Sequence, residues 1–223
     1  MGAIYDSTQP EALLEGMRLG RAAIGRGELV VIPTDTVYGL AADAFNAEAV
    51  LALVSAKGRT PATPPPVLIG SLPTLDALAE EVHDEVRVLA ARFWPGALTI
   101  IVPARASLDL DLGETRGTVA LRMPDDPIAL ELLKDTGPLA VSSANRTGEP
   151  PATSAAEAAA ALGESVAVIL DGGARGTVSS TIVDATALPS GKLRIVRVGA
   201  IPVEEIRDAV GADRLADAAG GTA

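Results

Sequence analysis

Leu29-Val30-Val31-Ile32-Pro33-Thr34-Asp35-Thr36 joins four consecutive aliphatic residues to a proline and three short polar residues. The aliphatic run does not alternate with polar residues, which is the pattern of a strand buried on both faces. It ends at Pro33, and the polar residues fall in the loop that follows. Upstream, Pro10 to Ile24 predicts a helix: Leu13, Met17 and Ile24 share one face, Glu15, Arg18 and Arg21 fall largely elsewhere, and Gly25 and Gly27 end it. Downstream, a second helix is expected from about Ala47 to Ala56. Strand, polar loop and helix in that order indicate an α/β domain.

The same grammar continues along the chain. Val67 to Ile69, Leu98 to Val102, Thr118 to Leu121, Leu139 to Val141, Val166 to Leu170, Thr181 to Val183 and Leu193 to Val198 read as strands. Leu78, Val82, Val86, Leu89 and Phe93 form one helical stripe. Ile128 to Lys134, Ala155 to Leu162 and the region of Val203 to Val210 read as further helices. Strands follow one another near the end, so a mixed sheet is expected. Residues 1–210 form one domain in this reading, and residues 211–223, closing on Ala-Gly-Gly-Thr-Ala, form a flexible C-terminal tail.

The 223 residues are 48% hydrophobic, enough for one substantial core, but only 2% aromatic. The scarcity of aromatics argues against a stacking platform for single-stranded nucleic acid. A formal net charge of −11 disfavours nonspecific binding to polyanions, while any local gathering of Lys and Arg stands out against it. No uncharged apolar run approaches the ~20 residues that span a bilayer, and the N-terminus lacks the pattern of a signal peptide. With no cysteine, disulfides, thiolate metal sites and cysteine nucleophiles are excluded. The composition reads as that of a soluble cytoplasmic protein.

Polar residues of chemical interest cluster at strand ends, where open α/β sheets place ligands. They are Thr34-Asp35-Thr36, Lys57-Gly58-Arg59, Arg122, Ser142-Ser143-Ala144-Asn145, Asp171-Gly172-Gly173, Ser179-Ser180 and Arg197. Singly, each has a plain structural reading as a turn, a cap or a solvated helix end. Jointly they supply what a triphosphate needs: a lysine point charge, arginine forks, and hydroxyl, amide and glycine backbone donors. There is no Walker sequence and no Gly-x-Gly-x-x-Gly after a strand, so a nucleotide has to be held in another way. The only histidine, His83, sits beside the apolar stripe of its helix and is expected to be exposed. A zinc site or a Ser-His-Asp hydrolase is therefore disfavoured. Asp109, Asp111 and Glu114 form an acidic loop, read as solvated surface rather than a metal site.

Read in order, several segments form a signature. They are Pro33-Thr34-Asp35-Thr36-Val37-Tyr38-Gly39-Leu40, Lys57-Gly58-Arg59, Phe93-Trp94-Pro95-Gly96-Ala97-Leu98-Thr99 and Leu121-Arg122-Met123-Pro124. Ser142-Ser143-Ala144-Asn145 with Gly148, Ser180-Thr181-Ile182-Val183-Asp184 and Val196-Arg197-Val198-Gly199 complete it. Over roughly residues 10 to 205 this resembles the YrdC-like family of L-threonylcarbamoyladenylate synthases, in its short single-domain form. The resemblance implies an α/β fold with a twisted mixed sheet, flanking helices and a large concave face. It implies a nucleotidyltransferase that makes threonylcarbamoyl-AMP and pyrophosphate from L-threonine, bicarbonate and ATP with Mg2+. A downstream threonylcarbamoyl transferase complex then modifies adenosine 37 of tRNA, so that contact with tRNA is indirect.

Carried over motif by motif, the resemblance implies that Lys57 and Arg59 hold the phosphates as the catalytic cations. Thr118, Asn145, Thr153 and Arg197 would meet ATP, and Thr34, Arg122, Ser143 and Ser180 would meet threonine. It assigns no metal ligands. The Pro-rich segment Thr60 to Pro66 is a lid candidate or a rigid connector. Many relatives carry Asn-Pro-Leu and then a histidine near Pro64 to Ile69. Here the segment reads Pro-Pro-Pro-Val-Leu-Ile-Gly, so that histidine's contact to threonine is absent or supplied differently. Two rival readings are a same-fold paralogue with other carbamoyl or nucleotide chemistry, and an RNA-binding ribosome-assembly factor.

Overall fold

A computed structural model of the chain describes residues 2–58, 60, 62–108 and 110–216. Arg59 and Asp109, both singled out above, lie outside the described residues, as do positions 217–223 of the expected tail. The elements in chain order are β1 (Ala3–Asp6), α1 (Pro10–Gly25), β2 (Leu29–Ile32), β3 (Gly39–Asp43), α2 (Ala47–Ala56), β4 (Val67–Leu68), α3 (Leu72–Leu78) and α4 (Asp84–Phe93). They continue with β5 (Leu98–Pro103), β6 (Thr118–Arg122), α5 (Pro127–Thr136), β7 (Leu139–Ser143), α6 (Ala155–Leu162), β8 (Val166–Asp171), β9 (Thr181–Asp184), β10 (Arg194–Arg197) and α7 (Val203–Val210).

The strands form one sheet in the order β1-β8-β2-β3-β7-β4-β6-β5-β9-β10. The pairs β1/β8, β2/β8, β4/β6 and β5/β9 are parallel, and the other five are antiparallel, so the sheet is mixed as expected. Alternation along the strands sorts the core into layers. Leu40 and Ala42 of β3 pack on α2 and α6, while Val67, Ile100, Leu121 and Val183 pack on α3, α4 and α7. The register pairs Ala42 with Ala140, which belongs to the second group, so both groups lie on one face. On the opposite face, α1 and α5 cover Val30, Ile32, Ala41, Val141 and Leu68. Beyond β4, that face carries Arg122 and Ala120 of β6, Thr99 and Ile101 of β5 and Ile182 of β9, with no described helix packed over them. This uncovered half-face is the floor of the site.

Two strands are additions to the sequence reading. β1 is a short edge strand that gains its identity by pairing with β8. β3 is Gly-Leu-Ala-Ala-Asp, with residues of poor strand propensity, and it is a strand because β2 and β7 flank it. The stripe from Leu78 to Phe93 is two helices rather than one. Between them Ala79 bridges Ala104, and Glu80 N donates to Pro103 O, so this segment extends the end of β5 instead of coiling. His83 precedes α4 rather than lying within it. Its side chain is only 15% exposed and lies 3.4 Å from Glu81, a correction to the exposed position expected.

The expected tail also begins with packed chain. Ala212–Arg214 form a 3-10 turn, Leu193 N donates to Arg214 O, and Leu215 is buried in the core, so the domain extends to residue 216. No helix among the described residues is long and apolar enough to cross a membrane.

Candidate active site

The loop between β2 and β3 is shaped by its own hydroxyls. Thr34 Oγ1 donates to Val37 O at 2.6 Å and accepts from the backbone N–H groups of Thr36 and Val37. This turn delivers Asp35 and Thr36 to Arg122 at the C-terminal end of β6. Arg122 Nη2 donates to Asp35 Oδ1 at 2.6 Å, Nη1 to Thr36 Oγ1 at 2.9 Å, and Nε to Gly96 O at 2.9 Å. Arg122 is 6% exposed. Burial pulls its pKa down, the Asp35 carboxylate opposes that, and Arg197 adds a smaller repulsion. A guanidinium has five N–H donors. Among the described residues three are engaged, and one remains on each Nη.

Across the floor, Ser180 Oγ and Thr99 Oγ1 stand 2.8 Å apart, and Arg197 donates to Ser180 O at 2.8 Å and to its Oγ at 3.3 Å. Arg197 is carried on β10, whose register sets Arg197 opposite Ile182 on the open face. Gly199 follows against the backbone of Ser179 and Ser180, where a Cβ would meet Ser179 O at 2.2 Å. Only glycine lets β10 close on the serines so tightly.

The third wall is the end of β7. Lys57, the residue after α2, is 1% exposed, and its ammonium donates to the carbonyls of Ser143 and Asn145. Its Nζ stands 3.5 Å from Ser143 Oγ and 3.4 Å from Asn145 Oδ1. The expectation was a cation presented to phosphates. In the structure the Lys57 ammonium is buried among carbonyl acceptors, as a buried charge requires. Asn145 Nδ2 in turn donates to Arg146 O and Glu149 O.

These walls enclose a cleft of about 200 Å³ lined by Thr34, Arg122, Ser143, Ser180 and Arg197 among others. Thr63, Pro64 and Pro66 also line it, and Pro66 O accepts from Val141 N at 2.8 Å, which ties that end of the segment to β7. A wider groove of about 700 Å³ starts at Ala144 and Asn145 and runs past Thr153. The Thr153 hydroxyl donates to Glu157 Oε2 at 2.9 Å, at the start of α6. The cleft lining ends on β7 at Ser143, and the groove lining begins at the next residue, Ala144.

The structure brings Thr34, Arg122, Ser143, Ser180 and Arg197 together around one hollow, and Asn145 and Thr153 around its neighbour. It does not bring Thr118 there. Thr118 shares the face of Arg122 but starts the same strand, about 13 Å away at the usual rise, and donates to Thr115 O. Thr36 and Thr99 are site residues that sequence reasoning did not single out as ligand contacts. The hydroxyl of Thr99 inside the apolar run Leu98 to Val102 was their available signal.

Behind the site, Tyr38 is fully buried, and its hydroxyl lies 3.0 Å from Asp171 Oδ1 and 2.7 Å from Gly173 O while accepting from Gly172 N. Burial and the Asp171 carboxylate push its pKa up to about 12. Arg175 Nη2 donates to Asp126 Oδ2 at 2.8 Å, tying the 172–180 segment to the cap of α5.

Comparison with known proteins places the chain in a family. The Sua5/YciO/YrdC family model, described as telomere recombination, matches residues 22–199. A Mycobacterium tuberculosis relative is 46% identical over 214 residues, covering 96% of this chain and 97% of its own. The threonylcarbamoyl-AMP synthase of Pyrococcus abyssi is 39% identical over 201 residues, which are 89% of this chain and 58% of that protein. The crystal structure of P. abyssi Sua5 complexed with L-threonine superposes with a TM-score of 0.85 at 36% identity, covering 96% of this chain and 62% of that one. Escherichia coli YciO, at 22% identity and a TM-score of 0.79, shares the fold over 92% of this chain and 100% of its own. A match over this much of the chain makes the protein a member of the Sua5/YciO/YrdC family.

Proposed function

We propose that this protein is a threonylcarbamoyl-AMP synthase, an ATP-using nucleotidyltransferase that acts on L-threonine. The observation that carries the reading is Arg122: a buried guanidinium anchored on three sides at the floor of a small cleft, with two N–H donors left for a carboxylate. The curated synthases of P. abyssi and Bacillus subtilis, 39% and 40% identical to this chain, support the assignment.

In this reading the threonine carboxylate sits on Arg122, and its side chain lies among Thr34, Ser143 and Ser180. Thr34 spends its one hydroxyl proton on Val37 O, so it has no donor left for the amino acid. The amine adds to bicarbonate to give the carbamate and water. A carbamate oxygen then attacks the α-phosphorus of ATP, and the bond to pyrophosphate breaks. No covalent enzyme intermediate is needed, and the protein contributes positioning and positive charge. ATP extends from the cleft into the groove of Asn145 and Thr153, with Arg197 beside the reacting phosphate. Lys57 acts by holding the Ser143–Asn145 turn in place.

Magnesium is part of this proposal as the companion of ATP. Magnesium in such sites is held largely by phosphate oxygens and water, with few protein ligands. Bicarbonate as co-substrate, a cytoplasmic site of action and transfer of the product by a separate complex to tRNA belong to the same proposal.

The test is product identification by mass spectrometry after incubation with ATP, bicarbonate and a panel of amino acids, alongside pyrophosphate release. Threonylcarbamoyl-AMP should form, and release should require threonine and bicarbonate together. Release indifferent to threonine refutes the reading and favours a paralogue with other chemistry.

A further inference from the structure

We infer that Asp35 and Thr36 are positioning residues for the amino-acid carboxylate, acting through the orientation of Arg122. The inference rests on the reading that Arg122 takes that carboxylate, and it adds what holds the fork in register.

The direction of the hydroxyl chain can be worked out. Thr34 gives its only proton to Val37 O, so in the 3.1 Å pair between Thr34 Oγ1 and Thr36 Oγ1 the donor is Thr36. Thr36 therefore turns a lone pair toward Arg122 Nη1. The chain runs one way, from Arg122 through Thr36 and Thr34 to the Val37 carbonyl, and the loop's own backbone locks it. On the other nitrogen, a single oxygen of Asp35 accepts from both Arg122 Nη2 and the backbone N–H of Asp125. Gly96 O takes Nε. A guanidinium is planar and rigid, so fixing three of its N–H directions fixes the remaining two.

Charge and orientation make opposite predictions for Asp35. By Coulomb attraction alone, removing this carboxylate would strengthen the pull of Arg122 on a bound carboxylate. By orientation, losing the acceptor frees the fork and weakens a bidentate contact that depends on geometry. Asp35→Asn removes the charge and keeps the accepting oxygen, and Asp35→Ala removes both. Thr36→Val removes the second acceptor at nearly constant volume, and Thr36→Ser restores it.

The experiment is titration calorimetry of each variant with L-threonine and, separately, with ATP. Asp35→Ala and Thr36→Val should bind threonine at least tenfold more weakly. Asp35→Asn and Thr36→Ser should stay within about threefold of the parent, and ATP affinity should be unchanged in all four. Threonine affinities of Asp35→Ala and Thr36→Val within threefold of the parent would overturn the inference. So would a parallel loss of ATP binding, or an Asp35→Asn variant as weak as Asp35→Ala. If Asp35→Ala does not fold, the Thr36→Val and Thr36→Ser pair decides alone. A parent protein that binds no threonine would instead overturn the functional reading on which the inference rests.

Discussion

Lys57 is tied to the turn of Asn145 through both its side chain and its backbone. The Lys57 ammonium donates to Asn145 O at 2.7 Å, while the Lys57 carbonyl accepts from Thr147, two residues further on, at 3.1 Å from N and 2.8 Å from Oγ1. The end of α2 and the turn after β7 are thereby one unit, and Ser143 and Asn145 are placed by it.

Lys57→Met, which keeps the stem and removes the charge, leaves two buried carbonyls without their cation. A loss of about 2–4 kcal/mol is expected from unsatisfied buried groups. Because Ser143 and Asn145 move with it, pyrophosphate release should fall by more than tenfold. Thermal melting and initial rates check the two effects separately. A variant with parent-like melting and a large loss of rate would show that Lys57 acts directly on the phosphates.

Tyr38 contributes one pH-dependent part of alkaline stability. Its pKa is about 12 in the folded protein against 10.0 unperturbed, so the folded state holds its proton more tightly than the unfolded chain does. The contribution is complete below pH 10 and is lost as pH rises from 10 toward 12, and it amounts to about 2–3 kcal/mol. Tyr38→Phe should be less stable at neutral pH, since Gly172 N and Asp171 lose their partner, and its stability should fall less steeply over that window. Denaturant midpoints between pH 8 and 11.5 measure both.

Asp126 serves two structures at once. One oxygen caps α5 by accepting from Ile128 N and Ala129 N, and the other pairs with Arg175. Asp126→Ala should cost more than the ~1 kcal/mol of a lost cap, because the half-buried Arg175 is left unpaired. Asp126→Asn retains the cap and should recover only part of the loss. Chemical denaturation of the two variants separates the contributions.

Gly199→Ala should damage the site without touching a ligand. The new Cβ would fall 2.2–2.5 Å from backbone atoms of Ser179 and Ser180, which cannot swing aside as a side chain can. β10 would be pushed off β9, moving Arg197 away from Ser180. ATP binding measured by calorimetry should weaken at least tenfold, whereas Gly173→Ala meets no atom and perturbs only its own backbone, at φ +82.

Much of the fold could be read from local pattern. β2, α2 and α6 lie where unbroken aliphatic runs and helical spacing placed them, because burial on both faces and helical periodicity leave direct marks on composition. β3 left no such mark. Its glycine is dictated by close approach, with a Cβ on Gly39 reaching Val141 Cγ1 at 2.6 Å, and small residues carry no strand signal. The split between α3 and α4 was hidden for a related reason: Ala79 and Glu80 pair with Ala104 and Pro103, far along the chain.

For the site, sequence by itself determined which side chains stand at strand ends and that cations and hydroxyls recur there. Motif order over most of the chain then identified the family. Only the tertiary structure decided how each group is spent. Arg122 is fixed by Asp35, Thr36 and Gly96, Lys57 is turned inward onto carbonyls, and Thr118 is left at the far end of its strand. The physical reason is that a residue's type states which hydrogen bonds and charges it can offer. Which of them remain for a ligand depends on partners that folding brings from distant positions, as it brings Asp35 to Arg122.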